Sequence, residues 1–474
     1  MSDDEMARFR ADVERALREI DRLRAENAGL HGELERLRRR VAELEGKLEQ
    51  ARRAGKRQAA PFARHAPAAA PRRPGRRAGA EYGAHHRRST PPRVDETIAV
   101  ALPRTCPDCG GVVERTSTVE QVQEDVPRVA PTVTRFVIEV GRCRGCARRL
   151  QARHPRQTSN AVGAAGLQVG PRALALGTAL HYEAGLSFGR SAAVLAQTTG
   201  IGVAPSTLAR AAARLAGQCQ GIDGALRAEL RAAPVVTPDE TGWHVGGHGA
   251  WLWTAATDTT TVYVLAPSRG TDVVDQLLGL DYAGIVVRDG WAPYRQLTQA
   301  DHQTCLAHLL RRCAELRADS WGRGREIPNL VAGLLHDALA LRDRREAGEL
   351  APTTVRRRRP ALERRLDTLL ARPAIRHPGN RRLLQHLQTE RAALFTFLGQ
   401  PGVPATNWRA EQAIRPAVVN RKTWGGNRTW AGAAVQQTLM TILRTARQRH
   451  RDGIGLLIAA GCAPGRASPA LLTP

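Results

Sequence analysis

Lysine is nearly absent from this chain: among 474 residues it occurs only at Lys47, Lys56 and Lys422, so the positive charge is almost entirely arginine. Acids are also scarce, 45 against 71 basic residues, which leaves a formal charge of +26. A surface this basic repels itself unless it meets a polyanion, and nucleic acid is the commonest one for a soluble protein. Long apolar runs are missing as well. A spanning helix needs roughly 18 or more consecutive apolar residues, and none exists here, so no membrane is expected among the partners. The opening MSDDEMARFR is acidic and then amphipathic, unlike a secretory signal. The eight cysteines are therefore expected to stay reduced, which excludes a disulfide scaffold.

What is present first is a heptad. From residue 6 to 48 the a positions are Met6, Val13, Ile20, Asn27, Leu34, Val41 and Leu48, and the d positions are Phe9, Ala16, Leu23, Leu30, Leu37 and Leu44. A lone Asn at a, with leucine repeated at d, favours a parallel two-stranded coil in a single register. Flanking charges agree, with Glu19 set toward Arg24 across the pair, Glu26 toward His31, Glu33 toward Arg38 and Arg40 toward Glu45. The alternative is a solvated surface helix. The expected device is a leucine zipper over 1–50 that makes a homodimer or a larger assembly, with Leu23, Asn27, Leu30, Leu34, Leu37 and Leu44 in its seam.

A basic linker arm follows, drawn over 51–100. Residues 51–93 hold 12 basic side chains against Glu81 alone, a local charge of +11. So little apolar material cannot fold, and such a segment is a spacer or an arm that condenses onto phosphates. Cys106-Pro-Asp-Cys109 and Cys143-Arg-Gly-Cys146 come next, within 101–150. Four thiolates suit tetrahedral Zn2+, and each C-x-x-C offers two ligands from one tight turn. With VTRFVIEV (133–140) read as a strand, the expectation is a zinc ribbon; the alternative is a metal-free or redox pair.

Residues 151–232 read as helices punctuated by Gly and Pro. A helix, a Gly-containing turn and a second helix opened by Pro205-Ser206-Thr207 resemble a helix-turn-helix. Ser206 or Thr207 is expected to cap that second helix, whose Arg210 and Arg214 share one face and are candidates for DNA contact.

From 233 to 450 the pattern turns to strands. PVVTPDETGWHV, GAWLWTAAT and TTVYVLAP read as an antiparallel meander, TDVVDQLLGL as a helix, and YAGIVVRDGW as a buried strand whose end presents Asp289. HQTCLAHLLRRCAEL reads as a short strand passing into a helix. The order βββαβ, with Asp239 on the first strand and Asp289 after the fourth, is that of an α/β ribonuclease-H-like core. Adjacent carboxylates repel unless a divalent cation lies between them, and hard oxygen ligands select Mg2+ or Mn2+. Glu411, on a later helix, is the candidate third acid. Asn407, Glu411 and Arg415 follow at i, i+4, i+8 on one helix face, and Arg415, Arg421 and Lys422 are candidates to meet phosphates.

These blocks carry a family resemblance. DETGW with WLW, RDGW-x-x-Y, QTCLAHLLRR, and TN-x-x-AE-x-x-IRP with RKTWGGNR resemble the signature blocks of bacterial DDE transposases of the insertion-sequence sixty-six family. The resemblance runs over nearly the whole chain, from zipper to C-terminal block. It implies that Asp239, Asp289 and Glu411 bind the catalytic Mg2+ of a metal-dependent DNA nuclease and strand transferase. It also implies double-stranded DNA as partner, accessory proteins of the same element, and a cytoplasmic, nucleoid-associated location. The chain departs from the pattern at Gln412, where an arginine would follow the glutamate.

A helical insertion is expected over about 323–400. Residues 341–391 hold 14 arginines against 6 acids, so this insertion either clamps DNA, shields the site or is a solvated face. His302, Cys305, His308 and Cys313 offer a second metal site or simply pack. Residues 451–474 read as a C-terminal tail. Two rival functions remain: a catalytically silent zipper and zinc-finger DNA-binding regulator, and a structure-specific ribonuclease or resolvase, which shares the core but would not need the zipper and zinc finger.

Overall fold

The heptad spacing produces one unbroken helix, α1 (Asp3–Gly55). The computed structural model describes residues 3–55, 89–127, 129–157, 159–161, 167–372, 377–463 and 465–472. Along α1 the seam side chains Ile20, Leu23, Leu30, Leu34, Leu37, Val41 and Leu44 are between 43% and 64% exposed. Asn27 is exposed among them. Its charges pair along the helix, Arg22 with Glu19 at 2.6 Å and Arg40 with Glu43 at 2.7 Å, and such exposed pairs contribute little stability. α1 belongs to one compact unit, Met1–Gly75, and everything below belongs to a second, Arg76–Pro474. Of the basic arm expected over 51–100, residues 56–88 lie outside the described residues.

Residues 89–127 of the second unit form no helix and no strand beyond the isolated bridge of Thr105 with Val112. Its first regular pairing is the hairpin β1 (Val140–Arg142) with β2 (Arg149–Gln151), antiparallel. The strand expected over 133–140 does not form apart from Val140. Val133 and Val137 are 79% and 90% exposed, and among the described residues no strand runs alongside them to complete a backbone ladder.

Four helices follow: α2 (Pro171–Tyr182), α3 (Phe188–Thr199), α4 (Pro205–Gln218) and α5 (Gln220–Ala232). Ser187 caps α3 by accepting from the Arg190 N–H, and α3 ends on Gly200 in the left-handed region. At α4 the expected Ser206 or Thr207 cap is not used. Ala204 is the N-cap, with Pro205 in the first turn, where proline lacks an N–H that a cap would have to satisfy. Leu174, Leu195, Leu208 and Ala211 close a small core among α2, α3 and α4.

The sheet contains β3 (Val235–Val245), β4 (His248–Ala256), β5 (Thr261–Ala266), β6 (Ile285–Arg288) and β7 (Asp301–Thr304), with α6 (Thr271–Leu278) between β5 and β6. Gly246 and Gly247, both at positive φ, make the two-residue turn that twists β3 into β4. The strand order is β5-β4-β3-β6-β7. The first three strands are antiparallel, while β3 with β6 and β6 with β7 are parallel.

Helices α7 (Leu306–Ala318), α8 (Glu326–Glu346), α9 (Pro352–Leu370), α10 (Pro378–Thr389) and α11 (Thr396–Gly399) come next. Then follow α12 (Trp408–Trp424), α13 (Trp430–Gln448) and α14 (Gly453–Cys462). The two faces of the sheet are covered differently. On one, Val236, Trp253, Val264 and Val286 pack with Val274 of α6 and Leu230 of α5. On the other, Trp243, Leu252 and Tyr263 meet Ile414 of α12 and Leu439 of α13. That second core also takes in Leu215 of α4 and Leu457 of α14, so the helices before the sheet share the sheet's own core. Residues beyond 451, expected as a tail, include α14 because GIGLLIAAGC is apolar enough to be buried there.

Candidate active site

β3 and β6 pair at only two positions, Val235 with Ile285 and Val236 with Val286. Asp239 and Asp289 each stand three residues beyond the last of those pairs, so the parallel register brings them level where the strands part. β3 continues against β4, with Asp239 opposite Thr254, while β6 stops at Arg288. The ends of adjacent parallel strands are the usual seat of a site in an open sheet. Both carboxylates are half-buried. Asp239 Oδ1 accepts from the Glu240 N–H at 2.9 Å, and Asp289 Oδ1 accepts from the Trp291 N–H at 2.9 Å.

Glu411 lies in the first turn of α12 and is half-buried. Its Oε1 is 3.8 Å from Nε2 of His308 on α7. Desolvation, and then the charges of Glu240, Asp289 and Glu411, push the Asp239 carboxyl well above the usual carboxylate range. Four acids therefore act on one another here. Among the described residues, however, no three His, Cys, Asp or Glu are gathered closely enough to hold a metal ion. The donor chemistry suits a hard divalent cation, which would relieve the repulsion that Asp239 records. Ligating distances are not reached.

The sequence pattern of the Transposase IS66 family matches residues 166–435. The chain belongs to this family. No curated protein matches it. The matched stretch holds the sheet, Asp239, Asp289 and Glu411; α1 and all four C-x-x-C cysteines precede it. A transposase acts on DNA and, as a class, cuts and joins it. No helix among the described residues of this transposase is long and apolar enough to cross a membrane.

The remaining expected site residues of the transposase divide. Arg415 and Lys422 are exposed on α12. Arg421 is turned inward: it donates to the Gly242 carbonyl and, at 3.4 Å, reaches the Thr241 hydroxyl, and burial lowers its proton affinity. It thus ties α12 to β3. Asn407 is fully buried. It is the N-cap residue of α12 rather than part of its face, so only Glu411 and Arg415 share the helical face expected for all three. The Asn407 amide side chain has no hydrogen-bond partner. On α4, Arg210 and Arg214 are exposed, opposite the buried Leu208, Ala211 and Leu215.

Each cysteine pair forms a compact knuckle. Gly110 N–H donates to Cys106 O, and Ala147 N–H to Cys143 O, both at 2.9 Å. Backbone N–H groups of Asp108 and Cys109 lower the Cys106 thiol, and those of Cys146 and Gly145 lower Cys143. The two pairs, however, are not brought together into one four-sulfur group. The second-metal reading of His302, Cys305, His308 and Cys313 is not supported either. His302 Nδ1 accepts from Arg288 Nε at 3.1 Å, Cys305 Sγ accepts from the Asn407 N–H, and Cys313 is buried in the core.

Several site neighbours carried no sequence expectation. Glu240, next to Asp239, has its carboxylate buried under Arg269 at 2.6 Å and the Tyr294 hydroxyl at 2.6 Å. Arg269 in turn lies over Trp291, whose N–H holds Asp289. Trp291 belongs to the RDGW block, so the motif was visible although its role was not.

Proposed function

We propose that Asp239, Asp289 and Glu411 form the catalytic acid set of this transposase, within a sheet of ribonuclease-H-like order. The observation that carries the reading is the parallel register that sets Asp239 and Asp289 level where β3 and β6 part; after burial and the charges of Glu240 and Asp289, Glu411 also raises the Asp239 proton affinity. Such a group would hold Mg2+ or Mn2+, which supplies activation of a water and charge relief at the leaving 3′ oxygen. The protein's own part is to orient. Backbone N–H groups of Glu240 and Trp291 each fix one oxygen of an aspartate, and we assign Arg415 and Lys422, exposed on α12, to phosphates of the bound strand. The product is a free 3′-hydroxyl, which the same site then joins to target DNA by in-line displacement. No covalent enzyme intermediate is needed.

We further read α1 as the dimerising zipper and the two knuckles as a Zn2+ site completed when the pairs close. Exposed Arg210 and Arg214 make α3–α4 a helix-turn-helix-like DNA contact. The basic arm adds salt-sensitive affinity for phosphates. A strand-transfer assay with Mg2+ on duplexes carrying the DNA ends that bracket the gene tests the reading. Cut ends joined to a target support it; ends that are bound and left uncut would instead fit the silent regulator.

A further inference from the structure

The helical insertion shares a core with the sheet: Val287 of β6 and Leu306 of α7 pack in one cluster with Leu335, Leu366 and Leu387. At the margin of that cluster lies Glu390, directly after α10 and 1% exposed. Its Oε1 accepts from Arg295 Nε and Nη2 at 3.1 and 2.8 Å. Its Oε2 accepts from the Thr304 hydroxyl of β7 and lies 2.9 Å from Arg288 Nη1.

The two arginines bracket Asp289. Arg288 is the residue before it, and Arg295, six residues after, also donates to the Gly290 carbonyl at 3.3 Å. One buried carboxylate from the insertion therefore grips both ends of the segment that bears Asp289. The packing is close at its middle too: a Cβ on Gly290, which sits at φ +94°, would lie 3.0 Å from His386 of α10. Neither arginine forms an ion pair with Asp289 among the described residues, although Arg288 adjoins it in the chain. With its side chain only 4% exposed, Arg288 would turn to the nearest remaining anion if Glu390 were lost, because a buried guanidinium cannot stay unpaired.

We propose that Glu390 is a positioning residue through which the insertion holds Asp289 level with Asp239 and keeps Arg288 and Arg295 off its carboxylate. This rests on the reading of Asp289 as a site acid. The insertion is then a support for catalysis, whatever else its arginines meet.

The test uses the full chain with Glu390→Gln, Arg295→Gln and, as reference, Asp289→Asn. Three quantities are read: single-turnover cleavage of a duplex carrying the bracketing ends, affinity for that duplex, and Mn2+ binding without DNA from the loss of the free-ion electron paramagnetic resonance signal. When Arg295, 38% exposed, is replaced, the buried Glu390 still pairs with Arg288, which keeps a folded variant in hand should Glu390→Gln fail to fold. Loosening the clamp, by Glu390→Gln or by Arg295→Gln, should slow cleavage by about ten- to a hundredfold, the scale of a small misplacement at a reacting centre. It should leave DNA affinity within about twofold, weaken Mn2+ binding and regain rate as Mn2+ is raised. Wild-type cleavage and Mn2+ binding in Arg295→Gln, with Asp289→Asn inactive, would overturn the proposal. So would a loss of rate with Mn2+ binding unchanged. Cleavage by Asp289→Asn would instead remove the reading beneath it.

Discussion

The guanidinium carbon of Arg269 lies 3.7 Å from the ring centre of Trp291 and 4.6 Å from that of Trp251. Its Nη2 and Nε meet Glu240 Oε1 at 2.6 and 3.0 Å. This stack shields a carboxylate with no exposed surface, and burial followed by the charge of Asp289 raises the Glu240 proton affinity. Removing the cation leaves that carboxylate with Tyr294 as its remaining close partner. Arg269→Ala should therefore cost about 3 kcal/mol in urea unfolding, as for a broken buried pair. Arg269→Lys should cost less but still be measurable, since lysine keeps the charge and loses the flat stack and forked contact. A change below about 0.5 kcal/mol in the alanine variant would show that the stack is not a structural support.

His181 gives the pH dependence a sign. It is buried between Phe188 and Trp424, with ring centres 3.8 and 4.7 Å away, and its Nδ1 is 2.6 Å from Leu186 O. Burial drives it down from its ordinary 6.5 to about 4. The folded state keeps this ring neutral while the unfolded chain takes up a proton at about 6.5. Its contribution is thus fully present above that pH and is lost as pH falls toward 4. The gap corresponds to about 3 kcal/mol. His181→Gln should flatten this part of the stability profile between pH 7 and 4; an unchanged slope would assign acid sensitivity elsewhere.

Much of the fold was legible because its signals are local. Periodicity located α1, the β3–β4–β5 meander and the strand leading to Asp289, since alternating or continuous apolar runs need only their own residues to be read. The placement of Asp239 on β3 and of Asp289 just past β6 was legible from the apolar runs around them. The supports were not, because they depend on contacts across long separations. Glu390 lies 95 residues from Arg295, and nothing about an isolated Glu after a helix marks it as buried. The contact of Arg421 was hidden for the same reason, since the Gly242 carbonyl that accepts from it is far away in the sequence. Residues 133–140 alternate like a strand, yet a strand also needs a neighbour, and among the described residues only their end, at Val140, has one.

The exposed seam of α1 leads to an assembly prediction. Analytical ultracentrifugation of the full chain should give a dimer or larger species. Leu30→Glu with Leu37→Glu should dissociate it, because charge in a d layer opposes pairing. Asn27→Leu should strengthen association while loosening the preference for one register. A wild-type monomer at micromolar concentration would refute the zipper reading.

The two knuckles predict zinc in the purified protein at about one ion per chain, measured by elemental analysis. Cys106→Ser and Cys143→Ser should each lose it, because neither pair alone closes a tetrahedron. Ala147 adopts φ +56° where the first knuckle has Gly110 at +74°, so Ala147→Gly should keep the metal. Equal zinc in wild type and both serine variants would rule the site out.

The most direct test of the catalytic reading is single-turnover cleavage of bracketing-end duplexes, in Mg2+, by Asp239→Ala, Asp289→Ala and Glu411→Ala. Each should fall to about a thousandth of the wild-type rate or lower, a loss of about 4 kcal/mol in transition-state stabilisation, while binding the duplex with unchanged affinity. Cleavage at the wild-type rate by any one of the three would contradict its place in the acid set.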